Sequence, residues 1–485
     1  MLNLPIIYRA LGTLLYLEAL LLFVCFGMGF WFCETQHLTF GVPLAVAVAA
    51  GATLRFCGRH AENRMGRRDG FLIVSLTWIV FSVVGMLPFI IGGYEPRVAA
   101  AFFETMSGFT TTGATVLNNL EALPHSILLW RSLTHWLGGM GIVFFTIAIL
   151  PNIGGGDLKL FSAEATGLKT DKLHPRISTT ARWIWALYLL LTVSCIIAYK
   201  LGGMTLFDAV NHGLATIGTG GFSTHTASLA WFKSPTIVWI SAVFMFLASI
   251  NYTVLYLFFI KRRFRAVWHD SELRCFLLIF LISAVSLTGI LHFVHHMDLS
   301  DALRCGVFNT ISLQSTTGFT EDDFMIWHPS VWLILTFISV VGACAGSTSG
   351  GLKCIRILTA WKVTRNEFRQ MLHPHAVLPV RINNSIITAQ TARTIFVFFI
   401  VYFILIIVAS IIMVSMGLPL LDAFGIAISS FSNIGPTVGH AIGPLASWGG
   451  LNDATLWLNS FLMLAGRLEI FSLLLPLTPS FWKDE

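Results

Sequence analysis

The sequence predicts an all-α polytopic membrane protein made of four related units, each a span, a half-helix, a loop and a second span, with an extra pair of N-terminal transmembrane helices. Three observations carry that reading: an apolar composition, basic loops that alternate with apolar runs, and a glycine-bearing polar interruption that occurs four times. The 485 residues are 55% hydrophobic and only 11% charged, with a mean hydropathy of +0.77. Such a balance excludes an ordinary soluble domain.

The elements follow in chain order. Residues 11–32 form an apolar run too long for the ~7–15-residue core of a cleaved signal peptide, and no small-residue cleavage pattern follows, so it is expected to stay as an anchor. A second run, 38–55, completes the N-terminal pair. Runs 71–93 and 394–417 exceed the roughly 20 apolar residues that cross a bilayer as a helix. The polar interruptions read TTTGATV from Thr110, TIGTGGFST from Thr216, STTGFTEDD from Ser315 and SNIGPTVGH from Ser432. Their anchoring glycines, Gly113, Gly220, Gly318 and Gly435, are 107, 98 and 117 residues apart, the signature of an internal repeat. About a dozen helix-compatible residues precede each glycine, too few to span, and are expected as re-entrant half-helices. A long run precedes each half-helix and another begins near Ser126, Pro235, Val331 and Thr455. The units are therefore expected at 59–176, 177–265, 266–380 (with a broken second span) and 381–485, behind the extra pair at 1–58.

Charge sets the orientation. Arg55, Arg59, Arg64, Arg67 and Arg68 form one basic cluster, and Lys159, Lys169, Lys172, Arg176 and Arg182 a second. Lys261, Arg262, Arg263, Arg265 and Arg274 form a third, and Lys353, Arg356, Lys362, Arg365, Arg369, Arg381 and Arg393 a fourth. All fall on one side of a ten-span layout, as do Arg9 and Lys483, and the positive-inside rule makes that side cytoplasmic, with both termini there. Clusters that alternate with apolar spans mark topology, so no nucleic-acid partner is expected. The glycine loops then face outward. The eight cysteines contain no CxxC pair and signal neither a zinc site nor a disulfide framework.

Irregular backbone at membrane depth is tolerated only where it is packed in protein or lines a water-filled cavity. Four pseudo-symmetric loops of this kind imply a shared central pore. Glycine takes positive φ without a Cβ clash, rings of backbone carbonyls replace the hydration shell of a monovalent cation, and half-helix C-termini pointing inward favour positive charge. The competing reading is that these glycines and threonines serve close helix packing; four occurrences at similar intervals favour the pore.

At these residues the chain resembles the membrane subunits of bacterial Trk potassium-uptake systems, the TrkH/TrkG type, over essentially its whole length. The extra N-terminal pair distinguishes it from the related Ktr type. The resemblance implies a potassium selectivity filter at Thr111, Thr112, Gly113, Thr219, Gly220, Thr317, Gly318, Ile434 and Gly435, potassium as the transported ion with no organic cofactor, and a homodimer with one pore per chain. It further implies a bacterial inner-membrane location and a cytosolic nucleotide-binding regulatory subunit of the TrkA type on the basic face. None of the loops carries the TVGYG signature of tetrameric potassium channels, and Pro436 follows the fourth glycine.

Two further features bear on gating. The apolar run WLILTFISVV is followed by GACAGSTSGGLK, 342–353, through which no helix passes unbroken. Gly346, Ser347, Thr348, Ser349, Gly350 and Gly351 are expected to form an intramembrane gating loop beneath the filter, as in the family; a simple kink is the alternative. The segment fails as a P-loop, because GxxxxGK counted from Gly346 would need Lys where Leu352 stands and no strand precedes it. Arg467, in the last apolar run, is an intramembrane charge and so a functional candidate. It is expected to line the path as an electrostatic barrier, with a structural ion pair to another span as the alternative. Glu469 lies on a different helix face and is a poor partner for it.

Weaker signals complete the reading. His292, His295 and His296 have helical spacing without an acidic or cysteine partner, and Glu321, Asp322 and Asp323 stand at the outer mouth of the third loop, where they concentrate cations or simply form a solvated rim. Trp31, Trp130 and Trp231 read as an aromatic belt. A proton- or sodium-coupled symporter is the nearest alternative, with Glu18 and Glu469 as its few intramembrane carboxylates. A polytopic membrane enzyme would need a convergent nucleophile–base or metal constellation, and the sequence carries none.

Overall fold

The computed structural model describes residues 2–61, 65–141, 177–375, 378–383, 385–468 and 470–483. These are helical almost throughout; the strands among them are two residues long, Arg381–Ile382 paired antiparallel with Ser385–Ile386. Among the described residues six helices are long and apolar enough to cross a membrane: Leu4–Trp31, Leu38–Cys57, Arg68–Ile91, Arg182–Leu201, Ser271–Phe293 and Ala389–Ser415. Two bent pairs raise the number to eight if each is one span. Ala389–Ser415 shows why such a sequence stays in lipid. Phe398, Tyr402, Ile406, Ala409 and Met413 are buried at helical spacing, whereas Ile400, Ile404, Ile407 and Ile411 are exposed. A helix apolar on both faces can leave one of them only to hydrocarbon.

The other two expected spans are short. His125–Gly139 has 15 residues and is followed, after Gly141, by 142–176, which lie outside the described residues together with Lys159, Lys169, Lys172 and Arg176 of the second basic cluster and the expected unit boundary at 176. Pro329–Val341 has 13 residues and stops at Gly342, whose φ is +68°.

Two runs expected as continuous helices are broken. Pro235–Ser249 and Tyr252–Phe259 meet at a 105° bend. The bend is stabilised from outside: Cys344 donates its N–H to the Ser249 carbonyl (3.2 Å) and Tyr252 donates to Gly346 (3.1 Å), so backbone groups freed by the break are paired at membrane depth. In the last run, helix Asp453–Arg467 ends at Arg467, and Phe471–Leu474 begins after Ile470, held at φ +43°. Arg467 therefore stands at a helix C-terminus rather than mid-helix, where a cation complements the terminal carbonyls. Glu469 lies outside the described residues.

Four short helices have their C-terminal halves buried among the spans: Val98–Phe109, Leu206–Gly218, Leu299–Gln314 and Leu420–Ser432. At 12 to 16 residues they fall below spanning length. Val98–Phe109 is buried from Ala99 onward.

Candidate ion pathway

All four half-helices end in the same way. Thr111, Thr219, Thr316 and Asn433 each donate an N–H three residues back, to Gly108, Thr216, Leu313 and Ser430 (3.0, 3.1, 3.1 and 3.3 Å). The next residues, Thr112, Gly220, Thr317 and Ile434, donate five residues back, to Ser107, Ala215, Ser312 and Ser429 (2.9 to 3.0 Å). This pair of bonds is a Schellman termination, which places its turning residue in the left-handed region, usually as glycine. Here that residue is Thr111 (φ +55°), Thr219 (+52°), Thr316 (+56°) or Asn433 (+57°). Left-handed backbone at a β-branched residue costs of order 1–3 kcal/mol and persists only where its surroundings over-determine it.

Two residues further on, each loop has a glycine at positive φ: Gly113 (+82°), Gly221 (+78°), Gly318 (+78°) and Gly435 (+96°). In the second loop the glycine at this position is Gly221, one residue after the expected Gly220. The four loops pack head to tail. A Cβ on Gly113 would strike the Gly220 carbonyl oxygen, one on Gly221 the Thr317 oxygen, one on Gly318 the Ile434 oxygen, and one on Gly435 the Thr112 oxygen. Thr112, Gly220, Thr317 and Ile434 thus set four carbonyls in a closed ring, each oxygen against the next loop's glycine. Side chains are excluded there because there is no room and because the backbone is left-handed. Gly113, Gly221, Gly318 and Gly435 line one cavity of ≈ 70 Å³. Thr111, Thr112, Thr219, Thr317 and Ile434 are buried below it.

Three corners of this ring are hydrogen-bonded. Between loops one and two, Arg131 lies 2.8 Å from Glu104 and donates to the Ser223 carbonyl (3.0 Å), its guanidinium 4.0 Å from the Phe222 ring centroid. Glu104 in turn accepts from Val116 N (2.9 Å) and Thr115 Oγ1 (3.0 Å). Both partners of the pair are buried. Loops two and three are joined by Leu229 N to Thr320 O (3.2 Å), and loops four and one by Asn433 Nδ2 to Thr112 Oγ1 (3.1 Å) and Trp448 N to Thr115 O (2.8 Å). Among the described residues no hydrogen bond joins loop three directly to loop four.

The glycine-rich segment 342–353 sits under that corner. Gly350 N donates to Thr316 Oγ1 (2.6 Å) and Gly351 N to the Ser432 carbonyl (3.1 Å), so the segment touches the C-terminal ends of half-helices three and four. Gly342, Gly346 and Gly351 all have positive φ. Ser347 and Ser349 are 2.7 Å apart, and Lys353 Nζ donates to the Ser349 carbonyl. Arg467 holds the segment from the side, donating to Thr348 O (2.8 Å) and to Gly138 O (2.6 Å). Gly346 through Gly351 and Arg467, singled out separately in the sequence, are thus one assembly.

Other candidates separate from it. His292 Nδ1 pairs with the Met297 carbonyl (2.9 Å) and His295 Nε2 accepts from His328 N (2.9 Å), which are capping contacts. Cys305, Glu321 and Asp322 offer ligand atoms within 4.8 Å of one another, but Arg304 lies 2.8 Å from Glu321 and already supplies a positive charge there. Burial raises the Glu321 carboxyl above its ordinary value, opposed by Arg304. Glu18 is fully buried in the first helix, with no hydrogen-bond partner for either carboxyl oxygen among the described residues.

Sequence reasoning missed Gly221 and the left-handed residues Thr316 and Asn433. A signal existed for Gly221, since GGF at 220–222 aligns with TGF at 317–319, with phenylalanine after the glycine in both. Nothing comparable marked Arg131 and Glu104.

Comparison with known proteins gives a consistent result. The family described as TrkH, cation transport protein, matches residues 39–483. The Trk system potassium uptake protein TrkH of Salmonella typhimurium is 39% identical over 442 residues, covering 90% of this chain and 91% of that one. TrkG of Escherichia coli is 32% identical over 98% of this chain and 97% of its own. The crystal structure of the potassium transporter TrkH from Vibrio parahaemolyticus superimposes with a TM-score of 0.88 at 35% identity, covering 99% of both chains. This chain therefore belongs to the TrkH family of cation transport proteins, and is an integral membrane transporter rather than an enzyme.

Proposed function

We propose that this protein takes up potassium across the bacterial inner membrane through a carbonyl-lined pore gated from the cytoplasm. The observation that carries the reading is the ring closed by Gly113, Gly221, Gly318 and Gly435 against the carbonyls of Thr112, Gly220, Thr317 and Ile434. Potassium sheds water and is coordinated by these oxygens, and the inward-pointing half-helix C-termini offset its charge. Relatives named as Trk potassium uptake proteins support the choice of ion.

The segment 346–351 obstructs the path below the ring, and Arg467 fixes it while adding a positive charge that opposes passage. Opening then consists of releasing Gly350 from Thr316 and Gly351 from Ser432. A TrkA-type nucleotide-binding subunit docks on the basic cytoplasmic face, where it draws on Cys354–Leu372, the amphipathic helix continuous with the gating segment. The chain works as a homodimer with both termini cytoplasmic. Purified protein in liposomes tests the ion: rubidium uptake driven by membrane potential is expected without any imposed proton or sodium gradient.

Proton-coupled symport is the second reading, favoured by the buried Glu18. Under it, Glu18→Gln abolishes proton-driven uptake; under the pore reading, potential-driven rubidium flux in Glu18→Gln matches the parent.

A further inference from the structure

We propose that the cavity between Pro329–Val341 and the fourth half-helix, Leu420–Ser432, binds a membrane-dissolved amphiphile with an apolar medium-length chain and one hydrogen-bonding oxygen. The cavity measures ≈ 290 Å³, roughly twice the ~150 Å³ apolar cavity that takes benzene. Its walls include Trp332, Phe424 and Ile428, and it reaches Ile434 and Pro436 of the fourth loop. At its mouth Leu333, Leu421 and Phe424 are 74%, 39% and 42% exposed, on helices whose outer surface faces hydrocarbon. The mouth is therefore continuous with the protein–lipid interface, and its occupant comes from the bilayer.

A second observation specifies the chemistry. Ser429 lines the cavity, is only 2% exposed, and its Oγ has no hydrogen-bond partner among the described residues. An orphaned hydroxyl in an apolar wall is costly, and a ligand hydroxyl or carbonyl oxygen satisfies it. A bare hydrocarbon tail does not. The position gives the site a consequence, because the cavity abuts the one corner of the ring where, among the described residues, no hydrogen bond joins adjacent loops directly. Occupancy packs against Ile434, whose carbonyl belongs to the ring. This effect on flux rests on the pore reading, whereas binding does not.

The test is photolabelling of the full-length protein in liposomes with a diazirine-bearing octanol, mapped by peptide mass spectrometry, alongside rubidium flux with plain 1-octanol. Labelling is expected on Pro329–Val341 and Leu420–Ser432. Thr336→Phe, which fills the cavity from a lining position outside the ring, should remove the label while basal flux persists. Ser429→Ala should weaken labelling about fivefold, the worth of one neutral hydrogen bond. Label elsewhere, label unchanged in both variants, equal competition by n-octane, or crosslinking of Leu333→Cys to a second copy that excludes the label would each overturn the proposal. Labelling as expected with flux insensitive to octanol would keep the site and refute its influence on the ring.

Discussion

Replacing Arg467 separates two roles that its position combines. The guanidinium donates to Thr348 O and Gly138 O at 2.8 and 2.6 Å, tying the segment proposed as the gate to helix His125–Gly139. Hydrogen bonds from a charged donor are worth roughly 1.5–3 kcal/mol each when buried. Arg467 is partly exposed and water replaces some of that, so losing both should release about 1.5–3 kcal/mol of closed-state stabilisation. At about 1.4 kcal/mol per factor of ten, the open fraction rises about 10- to 100-fold. A fixed charge beside the path adds a second term, about 2 kcal/mol at an effective dielectric of 20 and ~8 Å. Arg467→Ala removes both and Arg467→Lys keeps the charge but not the two-carbonyl fork. Rubidium flux per folded molecule, measured in liposomes after size-exclusion of detergent-stable protein, is expected to rise in both variants and further in Ala. Unchanged flux in Lys would refute the tether, and an unstable, inactive Ala variant would show instead that Arg467 balances a buried charge.

Gly220→Ala places a Cβ into the His135 ring, whereas Gly221→Ala meets the Thr317 carbonyl at φ +78°; His135→Ala should therefore restore rubidium-over-sodium preference to the first variant and not to the second. Shortening 346–351 should raise basal flux and blunt regulation by the cytosolic partner, and unchanged flux with intact regulation would reduce the segment to a kink. Arg131→Ala leaves Glu104 buried without its counter-charge, at a cost of roughly 3–5 kcal/mol, so folded yield should fall. Glu104→Gln with Arg131→Met should recover most of that yield, as read by fluorescence-detected size exclusion.

The fold was largely legible in the sequence because its two controlling signals are local. Apolar runs longer than a bilayer and glycines among small polar residues are visible without knowing what packs against what. The half-helices and the break at Gly342 follow from them. What stayed hidden depends on long-range contact. Gly220 and Gly221 are chemically identical in sequence, and only their neighbours, the His135 ring beside Gly220 and the Thr317 carbonyl beside Gly221, set what each glycine must make room for. The bend at Ile250 is invisible because its freed Ser249 carbonyl and Tyr252 N–H are paired by residues almost a hundred positions away, at Cys344 and Gly346. Arg467 was legible as an intramembrane charge in the final apolar run, but not as the end of a helix, a break that shows only in the backbone, where Ile470 turns to φ +43°. Thr111, Thr219 and Thr316 in the left-handed region run against residue preference, and such strain is imposed by the four-loop ring, not encoded in any one loop.

The central claim is that four glycine-bearing loops select the ion through a ring of backbone carbonyls. Its most direct test is the rubidium-to-sodium flux ratio in liposomes for the parent chain and for Gly113→Ser, Gly221→Ser, Gly318→Ser and Gly435→Ser. The ring predicts a ratio well above one in the parent and a reduced ratio in every variant that inserts and folds. A parent ratio near one, or four variants that all keep the parent ratio, would contradict it.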